Sequence, residues 1–222
     1  FLQFADSQFD DKTNPKNRSR FQNDTAMNGV AVAEANRFRP ALAFVTGDLI
    51  NKGTKAEWDT FHEVYDRPQV PLYCLPGNHD VNGAGTEWAA EAAGESAGPL
   101  SVYQHCTRRY ASEGKRRFTV EKAGCAFICL DTSSTDLAPE QLTWLKKELE
   151  RTRQARHVFV LGHHPAYAPW GHAIQKGREE LLKLMKEYKV AAYLCGHRHR
   201  YAYRLHEGTA HVLADCLCWN TR

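Results

Sequence analysis

No apolar run in this chain approaches the roughly 20 residues that a membrane-spanning helix needs, which excludes a helical bilayer span on sequence grounds. A dominant charge is missing too: the formal net charge is only +3, so the overall field selects no anionic partner. Basic residues gather only at Arg108, Arg109, Lys115, Arg116 and Arg117, which reads first as a solvated surface and second as an anion-facing loop. Together with Tyr103 and Tyr110 they are the whole case for a nucleic-acid partner, and that case is thin. There is no internal repeat, so a solenoid is excluded.

Cysteine is present in an odd number, seven, mostly inside apolar runs (Cys74, Cys125, Cys129, Cys195). Buried reduced thiols in a cytosolic protein account for them most simply. That favours a cytoplasmic location, with secretion left open because the chain starts at Phe1, already inside a strand-like run. Cys216 and Cys218 form a C-x-C pair that could serve a soft metal, although a strand with alternate cysteines is the simpler reading.

With 222 residues and 42% hydrophobic content the chain can bury one sizeable core. Short β-like runs occupy 1–5, 41–46, 70–76, 117–122, 125–130, 157–162 and 190–195, and two close-set runs follow at 201–206 and 209–214. Several are apolar at every position, so their sheets should be covered on both faces. Helical patterns lie between them at 25–38, 55–66, 138–152 and 177–189; in the third, Pro139 suits a first turn and Leu142, Leu145 and Leu149 share a face. The alternation predicts an α/β fold with antiparallel pairs towards the end. From Val81 to Gly114 the rhythm breaks into a glycine- and alanine-rich stretch, expected as an irregular insertion flanking the substrate.

Metal-binding residue types follow five of the apolar runs. Asp6 follows the first, Asp48 the second, and Asn78, His79 and Asp80 the third; His163 and His164 follow the sixth, and His197 and His199 the seventh. Ligand sites in α/β sheets lie beyond the carboxyl ends of the strands, so these donors should converge. Each piece alone is an ordinary turn or surface histidine, and the joint placement is what points to metal.

The ordered set Asp6-x-Gln8, Gly47-Asp48, Gly77-Asn78-His79-Asp80, His163-x-Pro165 and Gly196-His197-x-His199 resembles the calcineurin-like metallophosphoesterases. Their pattern runs D-x-H, G-D, G-N-H-[D/E], H, G-H-x-H. The resemblance covers essentially the whole chain and implies a single domain over 1–222. It implies two facing mixed β-sheets flanked by helices, a four-layer αββα sandwich, with two divalent or trivalent metal ions (Mn, Fe or Zn) at the sheet ends. It also implies a phosphorylated substrate, small molecule or phosphoprotein. Carried over, Asp6 and His199 would hold the first metal, Asp48 would bridge, and Asn78, His163 and His197 would complete the second. His79 would be no ligand but the catalytic acid or transition-state donor, and His164 would stand behind the ligands or point outward. Such a centre would cleave a phosphomonoester or phosphodiester with a bridging hydroxide.

Two departures bear on that expectation. Gln8 stands where most of the family has histidine; some branches carry D-x-Q, and Gln8 is expected as a weaker ligand or water-mediated neighbour of the first metal. Asn51, in GDLINKG, stands where the serine/threonine phosphatases have an aspartate supporting the catalytic histidine, and its amide is expected to orient His79. The same stretch lacks the tyrosine ligand of purple acid phosphatases. A catalytically weak metal-binding scaffold of the same fold is the alternative reading, and the retention of His79 counts against it.

Overall fold

In the strand Ala43–Thr46 every residue is buried, yet alternate side chains enter different cores. Ala43 and Val45 pack with Trp58, Phe61 and Tyr65, whereas Phe44 packs with Leu75, Phe127 and Leu161. The same period of two sorts Ala126 and Ile128 from Phe127 and Cys129, and Val158 and Val160 from Phe159 and Leu161. Strands apolar on both faces need cover on both, and a stack of four layers provides it.

The computed structural model describes residues 1–11, 24–82, 98–167, 169 and 171–218. The first sheet is three-stranded and parallel: β1 (Leu2–Phe4), β2 (Ala43–Thr46) and β3 (Leu72–Leu75). The second contains β4 (Phe118–Lys122), β5 (Cys125–Cys129), β6 (His157–Leu161), β7 (Ala192–Cys195), β8 (Ala202–His206) and β9 (Thr209–Leu213). Its order is β4-β5-β6-β7-β9-β8, and it is mixed: β4/β5 and β8/β9 are antiparallel hairpins around a parallel centre.

Outside the first sheet lie α1 (Asp24–Phe38), α2 (Lys55–Tyr65) and, beyond the short α3 (Asn78–Asn82), α4 (Pro99–Thr107). Outside the second lie α5 (Pro139–Arg151) and α6 (Arg178–Glu187). A capping box starts α2, in which the Thr54 hydroxyl accepts from Glu57 N–H and the Glu57 carboxylate accepts from Thr54 N–H. In α5, Pro139 sits in the first turn and Leu145 and Leu149 are buried against β5. Among the described residues no helix is long and apolar enough to cross a membrane.

Three expectations change. The second half of the supposed insertion is core: Val102, Tyr103 and Cys106 of α4 pack with Trp58 and Tyr110, and Tyr103 Oη donates to Cys74 O at 2.9 Å. The glycine and alanine content around it masked this short helix; positions 83–97 lie outside the described residues. Burial of Tyr103 and Tyr110 also removes them as stacking platforms, while Arg109, Lys115 and Arg116 are paired with Asp66, Glu113 and Asp131. That leaves little for a nucleic acid to engage. Finally, β9 ends at Leu213, so Cys216 and Cys218 lie on a turn and not on a strand.

Phe44 is fully buried between the sheets, with ring centroids 5.2 Å from Phe127 and 5.5 Å from Tyr73. Phe44→Ala should therefore lower stability in urea unfolding by about 3–5 kcal/mol. A loss no greater than that of Val30→Ala, a 61% exposed position, would show that the two sheets do not share this core.

Candidate metal centre

Because β1, β2 and β3 run parallel, and β6 and β7 do so in the other sheet, their carboxyl ends come out at one edge of the sandwich. The residues just beyond those ends are Asp6, Asp48, Asn78, His163 and His197. Hydrogen bonds join the two sheets there. His197 N–H donates to both Asp6 carboxylate oxygens, at 3.0 and 2.9 Å, and Gln3 Nε2 donates to Cys195 O at 3.1 Å. His163 Nδ1 lies 3.0 Å from Thr46 O.

The backbone at these turns is strained. Asp6, Gln8, Asp48, His197 and His199 have φ of 51°, 39°, 53°, 74° and 48°. Left-handed conformations cost a non-glycine residue roughly 1–3 kcal/mol and concentrate where function imposes them. Glycines provide the remaining space. A Cβ on Gly77 would overlap the Asp48 carboxylate, one on Gly196 the Asp6 carboxylate, and one on Gly47 (φ +88°) would come within 2.5 Å of His163 Nδ1.

Donor atoms of Asp6, Asp48 and His199 lie within 4.8 Å of one another, as do those of His163, His164 and His197. The carbonyl oxygen of Thr46 can only accept, so His163 Nδ1 carries a proton. His163 Nε2 then faces Asp48 Oδ2 at 3.2 Å, Asn78 Oδ1 at 3.1 Å and His197 Nδ1 at 3.2 Å. Lone pairs converging in a buried place require a proton or a cation between them. Without a metal, protons take that place. Burial opposes charge on His163, but Asp48 overrides it and holds the imidazole up at about 9. Burial likewise opposes charge on His199, and its hydrogen bond to Asp6 holds it up at about 10. His197 goes the other way, to about 2, through burial and then the neighbouring His163 and His164. Burial alone would raise Asp48, yet His163 and His79 pull it well below the usual carboxylate range. This set of hard oxygen and imidazole donors fits the divalent ions the resemblance implies.

Gln8 is buried and turned into the site. Its Nε2 lies 3.3 Å from Asp48 Oδ2, and its Oε1 accepts from Cys218 Sγ at 3.3 Å. His79 stands at the rim with 35% of its side chain exposed, and its backbone N–H donates to Asp48 Oδ1 at 3.0 Å. Its Nδ1 lies 2.6 Å from the backbone carbonyl oxygen of Asn51. The Asn51 amide instead donates to Asp10 Oδ1 at 3.2 Å, so the expectation that this side chain orients His79 is corrected. His164 does not point outward: it is 4% exposed, and its ring centroid is 4.0 Å from that of His197.

Sequence reasoning did not place the C-x-C pair here, although Cys216 and Cys218 donors lie within 4.8 Å of His199. It also missed the role of Asp80, which accepts from Leu49, Ile50 and Gly77 N–H at 2.8, 3.2 and 2.7 Å and ties the second strand-end loop to the third. Burial and then Asp48 push the Asp80 carboxyl up to about 8.

Similar proteins carry compatible names. A probable glycerophosphodiester phosphodiesterase of Arcobacter nitrofigilis is 30% identical over 73% of this chain and 58% of its own length. Human tartrate-resistant acid phosphatase type 5 is 32% identical over 70% of this chain and 53% of its own. The chain thus spans little more than half the length of these relatives. A dimetal phosphatase from Danio rerio shares the fold with a TM-score of 0.74 at 16% identity, over 98% of this chain and 87% of that one. A sequence profile of the calcineurin-like phosphoesterases matches residues 1–201, and the chain belongs to that family.

Proposed function

We propose that this chain hydrolyses phosphoric mono- or diesters at a dinuclear metal centre. The observation that carries the reading is the convergence of Asp48 Oδ2, Asn78 Oδ1 and His197 Nδ1 on His163 Nε2, each 3.1–3.2 Å from it, with His79 fixed beside them. Asp6 and His199, with Gln8 adjacent, would hold one ion; Asn78, His163 and His197 would hold the other; Asp48 would belong to both. Two bound ions would supply neutralisation of the phosphoryl oxygens and an activated water.

The residues of the chain do the rest. Imidazoles and a neutral amide complete the ligand set without crowding further negative charge against a phosphate. His79 Nδ1–H is committed to the Asn51 carbonyl oxygen, so Nε2 is the atom that faces substrate. Proton donation to a leaving oxygen from Nε2 needs the imidazolium, and the Asn51 carbonyl oxygen accepts from Nδ1–H in both protonation states. A scaffold that only bound metal would gain nothing from holding a non-ligand histidine in this way.

Asp48→Asn should weaken both ions together, read as metal per protein by elemental analysis. Two tightly held equivalents in that variant would remove Asp48 from the shared position. His79→Ala should keep both ions and lose about 10²–10⁴-fold in turnover on aryl phosphate mono- and diester substrates. Metal loss in parallel with activity would make His79 a ligand instead. Because a main-chain oxygen holds His79, Asn51→Ala should cost far less turnover than His79→Ala, and an equal loss would restore the Asn51 side chain to the role.

A further inference from the structure

The segment after β9 returns to the first strand-end turn and is fastened to it. Ala214 N–H donates to Cys195 O at 2.9 Å, and Leu217 N–H to Asp6 O at 3.2 Å. Asn28 Nδ2 donates to both Ser7 O and Leu217 O, at 3.1 and 3.3 Å, clamping the Asp6-Ser7-Gln8 turn to the C-x-C turn. Cys218 is fully buried and lies against Gln8 Oε1; Cys216 is half-buried. Donor atoms of Cys216, Cys218 and His199 lie within 4.8 Å of one another, and His199 also closes the group with Asp6 and Asp48.

Gln8 stands where most of the family has an imidazole, and its amide, a poorer donor, lies against Cys218 Sγ at 3.3 Å. We propose that Cys216 and Cys218 are thiolate ligands of the first metal position, shared with Asp6 and His199, and make it a site for zinc or a similarly thiophilic ion. The inference rests on the dinuclear reading above. Each thiol releases its proton to solvent as its sulfur–metal bond forms. Sulfur donors select zinc over manganese, and Asp6, His199, Cys216 and Cys218, with the shared Asp48, would give the position the mixed sulfur, nitrogen and oxygen set that zinc accepts.

Cobalt(II) substitution of the whole chain tests this, because thiolate–cobalt bonds give a near-ultraviolet charge-transfer band that oxygen and nitrogen ligands do not. The metal-free protein should take up two equivalents of cobalt, with the band developing with one of them. C216S/C218S, checked for folding by circular dichroism, should lose the band. Losing even a hydrogen-bonding partner of a metal ligand costs about 10–100-fold in affinity, so zinc affinity at this position should fall at least about tenfold. Independently, zinc should protect Cys216 of the unaltered chain from iodoacetamide, mapped by mass spectrometry, while Cys125, also half-buried but on β5, keeps its reactivity. Two cobalt ions without the band, or Cys216 alkylated equally with and without zinc, would overturn the thiolate inference and leave the dinuclear centre standing. A band arising only with a third equivalent would overturn it as well. No cobalt uptake at all would overturn both readings.

Discussion

The two sheets meet at one edge through the very groups that would hold metal. His163 of the second sheet donates from Nδ1 to Thr46 O of the first, and His197 N–H donates to the Asp6 carboxylate. These bonds fix the sandwich at its open end and also aim the remaining nitrogens and oxygens inward. Packing between the sheets, centred on Phe44, Leu75, Phe127 and Leu161, then makes the arrangement rigid. A displaced sheet would lose apolar contact and buried hydrogen bonds together, so the site inherits the stiffness of the core.

That stiffness is needed because the site is unfavourable by itself. Asp6 and Asp48 are carboxylates with almost no solvent exposure, on turns whose backbones are left-handed. Burial penalises charge, and positive φ penalises any side chain. The surrounding α-helical layers offset both through ordinary apolar burial, with Trp58, Phe61 and Tyr65 on one side and Leu145, Leu181 and Met185 on the other. The chain therefore separates the work: the apolar cores between and outside the sheets supply stability, and the edge where the strands end holds the strain.

Much of this was legible in the sequence, for a physical reason. Strands buried on both faces are written as unbroken apolar runs, and a polar residue directly after such a run can sit only at a strand end. The inner strands and the five strand-end donors follow from that rule, with boundaries differing from the structure by a residue or two, whereas the largely exposed edge strands β4 and β8 do not. What was not legible involves partners distant in the chain or atoms common to every residue. Cys218 and Gln8 are 210 positions apart, and no local pattern announces their contact. His164 reads like any histidine beside a ligand until its ring is found against that of His197. The helix Pro99–Thr107 was hidden because its buried face is short and its neighbours are glycine and alanine.

The Asn51 position shows why a motif departure need not be a functional departure. Comparing side chains suggests that an aspartate has been exchanged for a weaker support, yet His79 is held at 2.6 Å by the carbonyl oxygen of that residue. Where the carbonyl points is set by the loop after β2, and that loop is held by Asp80 through Leu49 and Ile50 N–H. Asp80 is in turn the residue next to His79. The catalytic candidate and the anchor that orients its partner thus sit side by side on the same short helix, and a single loop-to-loop lock positions both. Support of this kind does not depend on the side chain at position 51, whereas it does depend on the Asp80 carboxylate, whose three backbone partners no neutral apolar residue could satisfy.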